Sequence, residues 1–268
     1  MRRLNLVVLL LLSACPVFAQ LGVGWLRDDM TGCYVWNADP IPGKTFNWSG
    51  DCSNAVADGY GVLQWFINGS RGDRFIGEYR DGRMGPRGIL ESPNGDRYDG
   101  EFRNDKPNGR GTLTRLNGSR YTGWFRDGLP NDGTSILGDG RSYDGLFRDG
   151  RPIRGEITYP DGTVYDGELR DDMRSGRGIL DYPNGDQYDG SFKEDKFDGW
   201  GKFTMADGGR YEGEFRDDKP NGFGTYTAAD GGIYAGLWTN GCFRQSNRSA
   251  AVMATEKECS FGARGRPN

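Results

Sequence analysis

An aromatic residue followed two positions later by glycine recurs along this chain at a nearly fixed interval, and that periodicity constrains the fold more than length or composition does. The aromatics are Trp48, Phe75, Tyr98, Tyr121, Tyr143, Tyr165, Tyr188, Tyr211 and Tyr234, and glycine stands two residues beyond each of them, from Gly50 to Gly236. After a first interval of 27 residues the spacing is 22 or 23 throughout, so eight units and a partial ninth cover about 48–243. The fifth position of each unit is again large and apolar: Tyr79, Phe102, Phe125, Phe147, Leu169, Phe192, Phe215 and Trp238, with Cys52 as the departure in the first. Positions one, three and five alternate with polar residues and therefore share one face of a β-strand.

A second short strand follows Gly61, Gly88, Gly111, Gly133, Gly155, Gly178, Gly201 or Gly224. Two residues beyond that glycine stands Leu63, Leu90, Leu113, Ile157, Leu180, Phe203 or Tyr226, and Ser135 breaks the pattern once. Every full unit then carries an Asn-Gly or Asp-Gly pair, from Asn68-Gly69 to Asp230-Gly231. Such pairs supply the positive φ angles of a type I′ turn, so they predict a series of tight hairpins. The 45 glycines have no every-third spacing, which excludes collagen, and the 13% aromatic content argues against disorder. The expected fold is all-β: an elongated single-layer antiparallel solenoid of about eight hairpins, roughly 80 Å long at about 4.8 Å per strand.

The unit, for example YEGEFRDDKPNGFGTYTAADGG from Tyr211 to Gly232, closely resembles the membrane occupation and recognition nexus (MORN) repeat. The resemblance covers about 48–243, nearly three quarters of the chain. The flanks around Gly32-Cys33 and Gly241-Cys242 resemble the cysteine-bearing caps of exported bacterial members. The resemblance implies a hairpin array used in binding or scaffolding, with no shared catalytic residues. Family members have been linked to phosphoinositides, a role not carried over here because those lipids are not expected in a bacterial envelope.

Residues 1–19 read as a secretory signal: Arg2 and Arg3, an apolar run from Leu4 to Leu12, and a small-residue cleavage site after Ala19. Leu12-Ser13-Ala14-Cys15 also resembles a bacterial lipoprotein box, in which Cys15 would be lipidated. The first reading gives a periplasmic or secreted protein, the second an anchored lipoprotein. Removing Arg2 and Arg3 leaves 32 basic against 38 acidic residues, a mature charge of −6. Four cysteines then remain in an oxidising compartment, an even set that predicts two disulfides. Cys33 and Cys52 lie at one end of the array and Cys242 and Cys259 at the other. A disulfide needs Cα atoms within about 7 Å, so only Cys33–Cys52 and Cys242–Cys259 fit a straight solenoid. The expected organisation is signal peptide 1–19, N-terminal cap 20–47, repeat array 48–243, and C-terminal cap and tail 244–268.

The absence of histidine removes histidine-dependent triads and histidine-containing zinc sites. The net charge of −4 has the wrong sign for a chain-wide phosphate binder, so nucleic acid is not an expected partner. The carboxylates repeat unit by unit, whereas a glycosidase needs two singular acids in a pocket. No enzyme activity, cofactor or metal is expected. The candidate binding residues are the aromatic face, Tyr98, Tyr121, Tyr143, Tyr165, Tyr188, Tyr211, Tyr234, Trp124 and Trp238. Two readings stand for it: the rings are the only core of a one-layer sheet, or some stay exposed and stack on a sugar or clasp a partner segment. On the opposite face a column of cations, Arg80, Arg103, Arg126, Arg148, Arg170, Lys193 and Arg216, is expected to be offset by acids two residues away in the same strand. Arg71-Gly72-Asp73 is expected in an extended loop of the first unit, with no adhesion role. The expected function is an exported, non-enzymatic scaffold that binds a protein partner or itself through the array. The alternative is a glycan or cell-wall binding module, and a membrane role depends on lipidation of Cys15.

Overall fold

The computed structural model describes residues 24–261, so the expected signal peptide and Cys15 lie outside the described residues. The chain divides into two compact units, the first ending at Gly85 and the second beginning at Pro86.

In the first unit a small sheet joins Trp25–Arg27, Tyr34–Trp36, Val56–Ala57 and Cys52–Ser53, in that order. Cys33 and Cys52 are bonded, with Cα atoms 5.7 Å apart. Lys44–Trp48, Gly59–Ile67 and Ser70–Arg80 form a three-strand antiparallel set. The Arg71-Gly72-Asp73 tripeptide therefore lies in a strand and not in a loop, because Arg71 pairs with Phe66. Asp28 is buried, and its carboxylate accepts from the Thr31 hydroxyl at 2.6 Å and the Trp48 amide at 3.3 Å, which ties the entry loop to the first repeat.

The second unit is a run of antiparallel strands in which each pairs with its neighbours in sequence, from Arg97–Arg103 and Lys106–Thr114 through Lys219–Thr227 and Ile233–Thr239. The glycines of the repeat meet at one register: Gly100 faces Gly111, Gly111 faces Gly123, Gly123 faces Gly133, and the row continues to Gly224 opposite Gly236. The tyrosines from Tyr98 to Tyr211 lie on this row. A Cβ built on Gly178 would stand 2.5 Å from the Tyr165 ring, and one on Gly111 would stand 2.5 Å from the Tyr98 ring. Glycine is required here for the space that a ring needs against the backbone.

The two ends of the hairpins use different turns, and the structure reverses the expected assignment. At the Asn-Gly and Asp-Gly pairs of the second unit only the glycine has a positive φ. The amide of Gly95 donates to Ser92 O and that of Ser92 to Asp96 O, both at 2.9 Å, and the same pair of bonds recurs at Tyr182, Gly185 and Asp186. This is a three-residue loop, a type I turn closed by a left-handed glycine. Tight two-residue turns with both φ values positive sit at the other end: Asn104-Asp105, Asp127-Gly128, Asp149-Gly150, Asp171-Asp172, Glu194-Asp195 and Asp217-Asp218. Asp and Asn visit the left-handed region more readily than other non-glycine residues. In the first unit Asn68-Gly69 does have both φ values positive, as expected of type I′.

The core is a chain of rings meeting edge to face. Tyr98 meets Phe102 at 5.1 Å and Phe125 at 4.7 Å, and Tyr121 meets Phe125 at 5.0 Å and Phe147 at 5.1 Å. Beyond Tyr143 and Phe147 the chain breaks, because Leu169 stands where its neighbours carry phenylalanine. It resumes from Tyr165 through Phe192, Tyr188 and Phe215 to Tyr211 and Trp238. Such pairs contribute about 0.5–1.5 kcal/mol each beyond burial. Cys242–Gln245 and Arg248–Ala251 form the last hairpin, and Cys259 of the helix Glu256–Phe261 is bonded to Cys242 with Cα atoms 5.4 Å apart. Thr255 and Glu258 cap that helix reciprocally: the Glu258 amide donates to the Thr255 hydroxyl at 3.1 Å and the Thr255 amide to the Glu258 carboxylate at 2.6 Å.

This packing fixes the relative weight of the two faces. A Cβ at Gly167 would stand against the Tyr165 hydroxyl and 2.7 Å from Gly178 Cα, so Gly167→Val is expected to cost about 1–3 kcal/mol or more. Arg170 is exposed and makes no ion pair among the described residues, so Arg170→Ala should change stability by no more than about 0.5 kcal/mol. Thermal melts of both variants check this, and an equal loss would mean that the ring face is not the core.

Candidate functional site

The array offers two faces, and the structure distributes the candidate residues unevenly between them. Tyr98, Tyr121, Tyr143, Tyr165, Tyr188, Tyr211 and Trp238 are buried, Tyr165, Tyr188 and Tyr211 completely, and Tyr234 is half-buried. Of the two readings of the aromatic face, the core reading holds for the buried seven, whose rings are covered by neighbouring hairpins. Trp124 was expected among them but stands on the opposite face. It occupies the fourth position of its unit, one residue past Gly123, so the alternation of the strand turns it away from Tyr121 and Phe125. It is 47% exposed, and the Arg110 guanidinium lies 5.1 Å from its ring centre.

Sequence reasoning missed why the first position is tyrosine and not phenylalanine. From Tyr98 to Tyr211 the hydroxyl donates to the backbone carbonyl three residues on: Tyr98 to Glu101 at 2.8 Å, Tyr165 to Glu168 at 2.7 Å, Tyr188 to Ser191 at 2.9 Å and Tyr211 to Glu214 at 3.1 Å. The strand register shifts at these carbonyls, for instance between Gly167 and Leu169, which leaves Glu168 O out of the regular ladder and available to the hydroxyl. Trp48 does the same with its indole N–H, donating to Asp51 O at 2.9 Å. The two 22-residue units differ: with one residue fewer in the second strand, Tyr121 and Tyr143 each reach a further carbonyl, Asp132 O and Arg154 O, at 2.8 Å. Burial pushes the Tyr98 and Tyr143 hydroxyls up to about 12 and raises those of Tyr121, Tyr165, Tyr188 and Tyr211 as well.

The opposite face carries the surface chemistry. Beside the glycine row stand Trp200, Phe223 and Leu237, exposed by 54%, 66% and 60%. Phe223 and Leu237 are direct cross-strand partners, and Trp200 pairs with Glu214. The cation column is exposed along its length, and its cations make few close ion pairs with acids of their own strand. Arg80 alone of the seven is ion-paired among the described residues, to Glu78 at 3.2 Å. The acids are engaged across units instead: Glu101 with Arg87 at 3.0 Å, Asp195 with Arg174 at 3.2 Å, and Asp217 with Lys196 at 2.7 Å. No helix of the described residues is long and apolar enough to cross a membrane.

Comparison with known proteins separates the regular units from the irregular ones. The sequence model of the MORN repeat matches residues 75–97, 98–120, 165–187, 188–210 and 211–233. It passes over 121–164, the two 22-residue units. No curated protein matches the chain significantly. Among solved structures, the TCP domain of SAS-4 (dCPAP) from Drosophila melanogaster, in complex with a proline-rich motif of Ana2 (dSTIL), is similar with a TM-score of 0.38. The two are 13% identical, over 67% of this chain and 97% of that one.

The raised tyrosine hydroxyls predict the alkaline behaviour of the array. A hydroxyl whose folded pKa exceeds its unfolded value of about 10 adds stability below pH 10, and that stability is lost as pH rises through the folded value. The tyrosinate absorbance of the ladder residues should therefore appear together with loss of the strand circular dichroism signal, at pH 11 or above. Ionisation of all 13 tyrosines near pH 10 with the sheet intact would contradict the buried ladder.

Proposed function

We propose that this MORN-repeat protein is a non-catalytic scaffold that binds a protein partner through the outward face of its hairpin array, with Trp200, Phe223 and Leu237 at the centre of the contact. MORN repeats are interaction modules for proteins and membranes, and the family is typically non-enzymatic. The observation that carries the reading is the placement of large apolar side chains. The ring face uses its aromatics as core, whereas the outward face leaves these three exposed within a few strands of one another. Aromatic anchors beside polar neighbours are the composition of a contact centre. The regular backbone holds them at fixed spacing, so little ordering cost accompanies binding.

The disulfides support an exported compartment. Cys33–Cys52 and Cys242–Cys259 match a non-reducing environment, and the secretory-signal reading of the first 19 residues supports a periplasmic or secreted protein, or a lipoprotein anchored through Cys15. Sugar stacking on the tyrosine ladder is disfavoured by its burial, which leaves the partner protein as the favoured ligand.

Crosslinking in the cells that make the protein, followed by identification of the captured chain, tests the proposal. The wild type should capture one discrete partner or a second copy of itself. Phe223→Asp combined with Leu237→Asp should reduce the yield at least tenfold at an unchanged melting temperature. Equal capture by the double variant, or competition by soluble cell-wall glycan fragments, would overturn it.

A further inference from the structure

The ring face carries a continuous core cluster from Tyr143 to Val252, and it opens beside the first members of that cluster, where the repeat departs from its own pattern. At that point lies a cavity of about 370 Å³. Its floor is the break in the ring chain: Tyr121, Tyr143 and Phe147 on one side and Leu169 on the other. Two departures from the pattern, at Ser135 and Leu169, produce it. Ser135 stands between Tyr121 and Tyr143 where the neighbouring hairpins place Leu113 and Ile157. Leu169 replaces a phenylalanine. Pro130 and Pro152, the residue that Pro107 and Pro220 also supply at this register, leave the rings here without the cover that Phe197 gives Tyr188 in a 3.7 Å stack. The cavity is centred on the two units that the family pattern does not match and reaches into the matched unit on either side.

The rim has a charge opposite to that of the protein as a whole. Arg115, Arg120, Arg141 and Arg151 line the cavity, with Asp172 as the single acid. Arg141 is held by Asp139 at 2.8 Å and Arg151 by Asp171 at 3.2 Å. Arg115 and Arg120 make no ion pair among the described residues, and both are exposed at the mouth. An apolar floor of this volume with a few convergent polar groups has the build of a small-ligand pocket. Guanidinium groups suit carboxylate and sulfonate oxygens in particular.

We infer that this cavity binds a small organic anion with an apolar body, its carboxylate or sulfonate held by Arg115 and Arg120 and its body lying on Tyr121, Tyr143 and Leu169 over Ser135. The site is on the ring face, so it stands or falls independently of partner binding on the outward face.

The probe is 8-anilinonaphthalene-1-sulfonate, followed by fluorescence on the folded full chain. The wild type should bind about one equivalent, displaced by octanoate and not by octanol. Ser135→Leu restores the side chain that neighbouring hairpins carry at this register, so it should fold with an equal or higher melting temperature and weaken binding at least tenfold. Arg115→Gln with Arg120→Gln, both on the surface, should weaken the anion at least tenfold and flatten the dependence on salt. The assignment is overturned if Ser135→Leu and the arginine pair both leave affinity within twofold, or if octanol displaces the probe as well as octanoate does. Co-sedimentation with phosphatidylglycerol vesicles that depends on Ser135, without displacement of the probe by octanoate, would move the site to a lipid headgroup and likewise overturn it.

Discussion

The contact between a tyrosine ring and the glycine backbone beneath it is the constraint on which the rest of the structure depends. The ring covers glycines of two adjacent strands, and its hydroxyl closes on the carbonyl that the register shift frees, as Tyr165 does with Gly167, Gly178 and Glu168 O. One residue thereby satisfies three demands of a thin sheet: it buries apolar surface, occupies a stray backbone acceptor and holds two strands in register. An unpaired buried carbonyl costs on the order of 1–3 kcal/mol, so the hydroxyl is as much a part of the fold as the ring. The rule extends to Trp48, whose indole N–H meets Asp51 O in the same relation.

Much of this was legible in the residues. The aromatic-x-glycine rhythm specified strands, their pairing order and the ring face, and the positions of the four cysteines specified both disulfides. Turn chemistry was legible only in part. Asn-Gly and Asp-Gly marked the right bends, but residues such as Pro93 beside Asn94 extend the loop to three residues, so a single left-handed glycine suffices there. The tight turns fell to Asn104-Asp105 and Asp171-Asp172, pairs that lack glycine and whose φ values are set by the strands they join. Trp124 was misplaced although the alternation already assigned it to the other face. The tyrosine hydroxyl bonds depend on a bulge, a feature that arises between strands and leaves little trace in either one.

Division of labour between the faces follows from the thinness of the sheet. With one layer, every ring spent on the core is unavailable to a ligand, and binding must use residues outside the repeat's fixed positions. Trp200, Phe223 and Leu237 occupy such a free position, flanking the glycine row, where neighbouring units carry Arg177, Ser191 or Glu214. The pocket over Ser135 arises differently, by subtraction from the fixed positions. An added side chain on one face and a missing one on the other both individualise an otherwise uniform scaffold.

The glycine row has an evolutionary consequence. Because each hairpin meets its neighbours at the same glycine register, excision or tandem copying of a whole unit rejoins matching surfaces on both sides of the junction. Such a gene grows and shrinks in whole-hairpin steps without passing through a misfolded length. A copied unit adds a spacer whose free positions can then diverge while its neighbours keep the array standing.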